Sequence, residues 1–400
     1  MTTEAYIYDA IRTPRGIGKP GKGSLYEVKP IDLVTNLLES LKQRNDLDTS
    51  QIDDVVLSTG DPVNEQGSNI AKTAINYSSW DTVVTGAQLH RYCAGALDAV
   101  NVSAAKVMAG MEDLVCGGGV ESLSRVGMGA SGGAITDPWV QMKSLFISQG
   151  LGADLLAALD GFSREDVDRY ALMSQQRAAH ARDNGHFKSI IPVIDLNGVT
   201  ILDHDELIRE TSMEKLAALN PSFRMFNDFG HGDVARLRYP EVEEIENIHT
   251  PGNSSGIVDG ASLVLLGNKA AGDAQGLKPL ARIVSFATTG TEPTIMLAGP
   301  GPAAQKALKK AGMTMNDIDL VELNEAFASV VLRFQREMGV EDDKINVNGG
   351  AIAMGHPIGA TGAMILGVLL DELERRDLQR GMCTLCAAGG IGIATIIERV

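Results

Sequence analysis

The sequence has few of the residues that mark extracellular or membrane proteins. It contains 4 cysteines in 400 residues, and Cys383 and Cys386 form a lone C-x-x-C pair, so we expect neither a disulfide framework nor a zinc site. The longest apolar run, 363–370, is interrupted by Gly367 and is far shorter than the ~20 residues that a membrane helix needs. The start, MTTEAYIYDAIRTP, lacks the basic and apolar parts of a secretory signal. We therefore expect a cytoplasmic protein without an integral membrane segment.

Positive charge is also scarce. The 35 Lys and Arg residues face 51 Asp and Glu residues, which gives a formal net charge of −16. A polyanion needs a cationic surface, so this balance excludes non-specific binding of nucleic acid. A phosphate-bearing small ligand needs only a local basic patch and stays possible.

What is present is an alternation of short strands and longer helices. Runs rich in Val, Ile and Thr predict strands, and amphipathic stretches between them predict helices, a pattern typical of α/β layers. The predicted strands are 5–11, 54–59, 113–116, 262–266, 281–286, 320–323 and 382–386. The predicted helices are 31–44, 95–109, 164–183, 302–311 and 361–376.

One α/β unit occurs twice. Helix 95–108 leads into strand 113–116 and then Gly-Gly-Gly, and helix 359–376 leads into strand 382–386 and then Ala-Ala-Gly-Gly. Between 121 and 253 the strand signals thin out and charged residues become denser. There Ser163 and Asp166 predict the capped start of a long helix, and Gly185 predicts its end. We interpret the repeated α/β unit as a sign of a duplicated fold, and the region between the two copies as an insertion.

Both copies of the repeated unit begin at a residue that could be reactive. Cys93 precedes a helix, whose dipole favours a thiolate, but a buried structural cysteine explains the local sequence equally well. His356 lies in a glycine-rich loop just before a helix. An imidazole presented there could take a proton from a thiol and return it later, whereas a surface histidine would be the alternative.

Three further segments are candidates for ligand contacts. Cys386 ends a strand before a glycine-rich turn whose N–H groups could bind an oxyanion, although packing alone would explain the thiol. Asn324 follows a buried strand and could contact a ligand or cap a helix. The loop 251–262, PGNSSGIVDGAS, is either an ordinary turn or a contact for a polar chain such as pantetheine.

Taken together, these segments resemble the thiolase family. Six family motifs appear in the family's order along the chain. They are the early reactive Cys93, GGxES at 118–122, GNSSGxxDGA at 252–261, NEAFA at 324–328, NxxGGAxAxGHPxGATG at 346–362, and the cysteine-glycine loop at 386–392.

The resemblance implies a duplicated five-layered αβαβα core with an inserted loop domain. The N-terminal half would comprise residues 1–122 and 257–277, the CoA-binding loop domain 123–256, and the C-terminal half 278–400. It also implies a mechanism in which His356 takes the proton of Cys93 and Cys386 serves as a second acid and base. The oxyanion holes would be formed by His356 with Asn324, and by the N–H groups of Cys93 and Ala388. Arg209, Ser255 and Gln149 match substrate-binding and CoA-binding positions, and no metal or separate cofactor is required besides CoA as substrate.

This sequence departs from the family pattern at several places. His90 replaces an asparagine, Ala96 replaces a glycine, Ala388 replaces the glycine after the second cysteine, and Ser148-Gln149 replaces a His-Met pair. The last change favours a degradative 3-ketoacyl-CoA thiolase of fatty-acid β-oxidation. The alternatives are a biosynthetic acetyl-CoA acetyltransferase and an impaired CoA-ester-binding homologue.

Within the family the chain is most similar to thiolase subunits of actinobacterial trifunctional β-oxidation complexes. That similarity implies a homodimer or a dimer of dimers with CoA and acyl-CoA as ligands, and a hydratase/dehydrogenase chain as partner.

Overall fold

The computed structural model describes residues 3–400 as an α/β protein. The strands are β1 (Tyr6–Arg12), β2 (Gly16–Ile17), β3 (Asp54–Ser58), β4 (Thr85–Leu89), β5 (Leu114–Ser122), β6 (Val193–Ile194), β7 (Thr200–Leu202), β8 (Val258–Gly267), β9 (Ala281–Gly290), β10 (Leu320–Leu323), β11 (Arg380–Ala387) and β12 (Ile391–Arg399). The helices are α1 (Pro30–Asn45), α2 (Ile70–Tyr77), α3 (Gly95–Met108), α4 (Pro138–Ser144), α5 (Gln149–Asp160), α6 (Arg164–Asp183), α7 (Met213–Ala217), α8 (Arg224–Phe226), α9 (Gly232–Arg238), α10 (Lys269–Ala274), α11 (Pro300–Ala311), α12 (Ala328–Met338), α13 (Ala351–Met354) and α14 (Thr361–Arg375).

The main sheet consists of two similar halves. Its strand order is β10-β11-β12-β9-β1-β8-β5-β3-β4, and the halves meet where β1 pairs with β9 over only two residue pairs. In the first half β3 is parallel to β4 and β5, and β8 and β1 continue the sheet antiparallel. In the second half β10 is parallel to β11, and β12 and β9 again continue it antiparallel. The predicted duplication is confirmed.

Helices form layers on both sides of these strands. Helices α3 and α14 pack against each other between the two half-sheets, so closely that a Cβ on Gly362 would lie 2.4 Å from the backbone nitrogen of Leu97. Their apolar faces form one core with buried residues of both half-sheets. Helices α1 and α2 cover the outer face of the first half and α11 and α12 that of the second. The predicted five-layered αβαβα architecture is confirmed.

The segment between β5 and β8 has few strands and a long helix, as the sequence indicated. It carries α4 to α9 and the short hairpin β6-β7. Helix α6 begins at the expected place, because the Ser163 side chain accepts from the Asp166 N–H and the Asp166 carboxylate accepts from the Ser163 N–H. Gly185 follows its end with a φ of 67°.

Three strands of the sheet were not predicted, β2, β4 and β12. The predicted strands 113–116 and 262–266 correspond to β5 and β8, which are longer than predicted. Within residues 3–400, no single helix is long and apolar enough to cross a membrane, although two helical stretches bent by 115°, Pro138–Asp160 and Arg164–Asp183, pass that test as a pair.

Candidate active site

Cys93 lies in a tight turn between an edge strand and the central helix α3. Tyr92, directly before it, has a φ of 48°, a left-handed conformation that costs about 1 kcal/mol or more for a residue with a side chain. Gly95 opens the helix so close to β3 that a Cβ there would lie 1.8 Å from Ser58 Oγ. The strained turn and the close packing therefore fix the thiol at the start of α3.

The Cys93 thiol is only 6% exposed and is neutral in the free protein. Burial raises its pKa to about 12, even though the N–H groups of Cys93 and Ala388 both act on the sulfur to lower the pKa. The expectation that the helix start favours a thiolate is therefore wrong for the free protein. The N–H groups do stabilise the anion, but the loss of water around the sulfur outweighs them.

Cys386 lies near Cys93 at the end of β11. Its side chain is fully buried, and burial together with the charge of a Cys93 thiolate raises the pKa of Cys386. After it, Gly389 and Gly390 have φ values of 76° and 79°, which form the predicted glycine-rich turn. Ala388 in this turn still directs its N–H at Cys93, so replacement of the usual glycine preserves the donor.

His356 is held by backbone and side-chain contacts in the loop between α13 and α14. Its N–H donates to the Gly256 carbonyl (2.8 Å), and its Nδ1 lies 2.5 Å from Thr361 Oγ1. The Thr361 hydroxyl donates to the Pro357 carbonyl (3.0 Å), so its oxygen accepts a hydrogen bond from the Nδ1–H of His356. Burial, and then the charge of Arg15, lowers the His356 pKa to about 3. The ring is a neutral base whose lone pair lies on Nε2.

Asn324 stands beside that lone pair. Its Nδ2 lies 3.4 Å from His356 Nε2, and its Oδ1 is buried without a hydrogen-bond partner within residues 3–400. The helix-capping alternative is wrong, because α12 begins at Ala328 with Phe327 before it. A buried unpaired oxygen next to a neutral histidine can hold a water or a polar substrate atom.

Glu121 connects the two loops that flank the thiol. Its carboxylate accepts from the N–H groups of Gly60 (2.6 Å) and Gly359 (2.7 Å) and from Gln66 Nε2 (2.5 Å). Burial raises its pKa to about 7 against the effect of these hydrogen bonds. Glu121 thus fixes the position of the loop after His356 relative to the loop after β3.

A cavity of about 260 Å³ opens above Cys93. Its walls are mostly apolar, and Gln149, His90 and Ala388 line it with Cys93. Its apolar side chains are Met128, Ile135, Phe146, Met296 and Ile358. His90 is exposed and packs edge-on against the Tyr92 ring, with centroids 4.5 Å apart. Ala96 is fully buried in the central core and is not among the residues that line the cavity, so this substitution lies behind the site.

A second cavity, of about 480 Å³, lies against α6 and contains Arg209. Arg182 and Lys215 add positive charge, and Asp183 and Glu210 add negative charge. Leu207, two residues before Arg209, approaches Gly256 so closely that a Cβ there would lie 2.3 Å from Leu207 Cδ1. Since the carbonyl of Gly256 accepts from the His356 N–H, the Arg209 segment borders the loop that contains His356.

Ser255 lines neither cavity within the described residues. It is half-buried, and its N–H donates to the Ala326 carbonyl at 3.0 Å. Within the described residues, Cys93, Ala388 and Gln149 line one cavity, and Cys386 lies near Cys93. His356, two residues before the cavity-lining Ile358, contacts Asn324, and Arg209 lines the second cavity. Within residues 3–400, no group of three or more His, Cys, Asp or Glu side chains could hold a metal ion.

Comparison with known protein families shows to which family the chain belongs. The profile of the thiolase N-terminal domain matches residues 5–231, and that of the thiolase C-terminal domain matches residues 277–399. The chain belongs to the thiolase family. As a thiolase it is an acyltransferase, and the predicted resemblance is confirmed.

Relatives of this thiolase align over nearly its whole length. It is 39% identical to the 3-oxoadipyl-CoA/3-oxo-5,6-dehydrosuberyl-CoA thiolase of Escherichia coli, over 99% of this chain and 100% of that one. It is 40% identical to a 3-ketoacyl-CoA thiolase of Serratia proteamaculans, over 98% and 99%. The crystal structure of the Bacillus anthracis acetyl-CoA acetyltransferase matches with a TM-score of 0.85 at 31% identity, covering 100% of this chain and 99% of that one.

Two residues of this thiolase site were missed as functional candidates from the sequence. Thr361 and Glu121 both lie inside quoted motifs, but neither carries an obvious chemical role by itself. A hydroxyl five residues after a loop histidine, and a single carboxylate in the strand LVCGGGVES, were the available signals.

Proposed function

We propose that this thiolase catalyses CoA-dependent cleavage of 3-ketoacyl-CoA to acetyl-CoA and a shortened acyl-CoA. The observation that carries the proposal is the position of Cys93 in the wall of an apolar cavity, with the N–H groups of Cys93 and Ala388 acting on its sulfur. Relatives named 3-ketoacyl-CoA thiolase support the same reaction.

The first half-reaction breaks the bond between C2 and C3 of the substrate. His356 Nε2 accepts the Cys93 proton while the sulfur forms a bond to C3. The electron pair of the C2–C3 bond moves to C2, Cys386 protonates that carbon, and acetyl-CoA leaves. His356 Nε2 and a water held by Asn324 stabilise one developing oxyanion, and the N–H groups of Cys93 and Ala388 the other.

The second half-reaction transfers the acyl group to CoA. The Cys386 thiolate takes the proton of the CoA thiol, and the CoA sulfur attacks the Cys93 thioester. Cys93 leaves as a thiolate and recovers its proton from His356. Because Cys93 and His356 both start neutral, the proton transfer is coupled to the attack.

The apolar cavity supports a degradative role in fatty-acid β-oxidation with acyl chains longer than acetoacetyl. Arg209 contacts the adenine end of CoA, Ser255 its pantetheine and Gln149 the acyl end of the substrate. CoA is consumed as a substrate, and the chemistry requires no metal and no other cofactor. We further propose a cytoplasmic homodimer or dimer of dimers with a hydratase/dehydrogenase partner.

A biosynthetic acetyl-CoA acetyltransferase is the second candidate, favoured by the structural match to the Bacillus anthracis enzyme. The distinguishing experiment measures kcat/KM by loss of the magnesium–3-ketoacyl-CoA absorbance over a series of chain lengths. We expect chains longer than acetoacetyl to be preferred. Preference for acetoacetyl-CoA would favour the second candidate.

The same assay separates an active enzyme from an impaired homologue. Cys93→Ala should abolish turnover, whereas Cys383→Ala, a matched change at another buried cysteine, should keep it. Turnover that survives in Cys93→Ala, or that is absent from the unsubstituted protein, would contradict the proposed function.

A further inference from the structure

Gln149 occupies a fixed position in the wall of the Cys93 cavity. It is the first residue of α5, and the backbone on both sides of it is anchored by the segment that follows α7. The N–H of Ser148 donates to His231 Nδ1 (3.0 Å), and Gly150 lies so close to Phe223 that a Cβ there would be 2.2 Å from the ring. The backbone that carries Gln149 is therefore held by residues that do not line the cavity.

The amide of Gln149 has a donor without an acceptor. Its Nε2 atom is buried and has no hydrogen-bond partner within residues 3–400, although the residue lines the same cavity as Cys93. A buried donor that stays unpaired loses its hydration without compensation. A purely alkyl acyl chain in this cavity would leave Nε2 unpaired, whereas a chain with an oxygen atom at the right place would pair with it.

The charges around the cavity indicate which kind of oxygen fits. Among the described residues that line it, none is Lys or Arg, and Asp61 contributes a carboxylate. That carboxylate accepts from Gly129 N–H (2.9 Å), Ser131 N–H (2.8 Å) and Ser131 Oγ (2.7 Å), so it is fixed in the wall. A second carboxylate on the substrate would face this negative charge without a buried cation to offset it.

We propose that Gln149 is a specificity-determining residue that selects 3-ketoacyl-CoA substrates whose acyl chain carries a neutral hydrogen-bond acceptor, such as a second ketone, beyond the 3-keto carbon. The Nε2 group donates to this acceptor while the apolar walls contact the rest of the chain. This inference rests on the proposed thiolytic function and specifies its substrate class.

The test compares three kinds of acyl chain with the same number of carbon atoms. They are 3-oxooctanoyl-CoA, analogues with a second ketone placed in turn at each carbon from the fifth to the seventh, and the dicarboxylic 3-oxosuberyl-CoA. We expect the unsubstituted protein to cleave at least one diketone with a kcat/KM about tenfold above that of the alkyl substrate, and to cleave the dicarboxylate less well than that diketone.

Variants assign the preference to Gln149. Gln149→Met keeps the length of the side chain without its donor, and should bring the diketone-to-alkyl ratio to one or below. Gln305→Met, the same change on the distant helix α11, should keep the original ratio. Gln149→Glu keeps the shape and replaces the donor by an acceptor, so it should also lose the diketone preference and serves if the methionine variant does not fold. Since each ratio is measured within one preparation, partial unfolding does not alter it.

The possible outcomes distinguish the role of Gln149 from the proposed thiolytic function. No diketone preference at any position, an unchanged ratio in Gln149→Met and Gln149→Glu, or a preference for the dicarboxylate would overturn the role of Gln149 while cleavage itself continues. Absence of cleavage with every substrate would overturn the proposed function, and this inference with it.

Discussion

The Nδ1 atom of His356 lies 2.5 Å from the hydroxyl oxygen of Thr361, and this contact determines which nitrogen of the ring carries the proton. Because the hydroxyl donates to the Pro357 carbonyl, Thr361 accepts from Nδ1, and Nε2 keeps its lone pair beside Asn324. Thr361 therefore fixes the protonation of the proposed base, although it does not line the Cys93 cavity.

Removal of the Thr361 hydroxyl should weaken the base without changing substrate binding. Thr361→Val keeps the shape of the side chain but no longer fixes the proton of His356 on Nδ1. We expect kcat to fall about 10–100-fold, which is part of the rate enhancement that general base catalysis typically contributes. Thr361→Ser retains the hydroxyl and should keep most of the activity. Steady-state kinetics check this, and an unchanged kcat in the valine variant would show that the contact is only structural.

The neutral state of Cys93 has a direct chemical consequence. With a pKa raised to about 12, the thiolate fraction should increase about tenfold for each pH unit between about pH 7 and 10. The rate of alkylation of Cys93 by iodoacetamide, followed on its peptide by mass spectrometry, should therefore rise steadily over this range. A plateau below pH 9 would instead indicate a thiolate paired with a charged His356.

Glu121 should make the stability of the protein depend on pH near neutrality. Its pKa is raised to about 7 from an ordinary value near 4.5, so the folded state binds a proton that the unfolded state releases. The stability this provides, at most about 3 kcal/mol, is complete below about pH 4.5 and is lost as the pH rises through about 7.

The variant Glu121→Gln tests this link. It removes the titrating group and places an amide opposite the donor of Gln66, so its Tm should lie below that of the unsubstituted protein by a margin that shrinks from pH 5 to pH 8. Glu27→Gln, at an exposed site, should show no such trend. A margin that is constant with pH would exclude titration of Glu121 in this range.

Gly355 places His356, and its replacement should affect stability and activity together. Its φ is 95°, and a Cβ would lie 2.3 Å from Val258 Cγ1, so Gly355→Ala should lower the free energy of unfolding by about 1–3 kcal/mol. Gly290→Ala, where a Cβ meets nothing within 4 Å, is the matched control. Equal denaturation midpoints for the two variants would contradict the strain at Gly355.

Local chemistry made much of the fold predictable. The Ser163–Asp166 capping box marks the start of α6 in the sequence itself, and Leu320–Leu323 is a strand with the bounds predicted. Strand β4 was missed because it is an edge strand, and its residues TGAQL lack an apolar alternation. Strand β12 was missed because glycines before and at its start interrupt the apolar run that would predict a strand.

The protonation states of the site could not be read in the same way. The sequence shows that Cys93 begins a helix, which predicts a thiolate, but the desolvation that reverses this comes from segments far along the chain. The loops at 60, 358 and 388 close around the thiol only in the folded protein. The contact of Thr361 with His356 is local in sequence, yet it depends on how the intervening loop turns.

The most direct test of the account is to detect the acyl group on Cys93. The protein is mixed with a 3-ketoacyl-CoA in the absence of free CoA, quenched in acid, digested and analysed by mass spectrometry. The account predicts that the peptide containing Cys93 gains the mass of the shortened acyl group, and that adding CoA removes it at the rate of turnover. Cleavage that proceeds without this adduct, or with the acyl group on another residue, would contradict it.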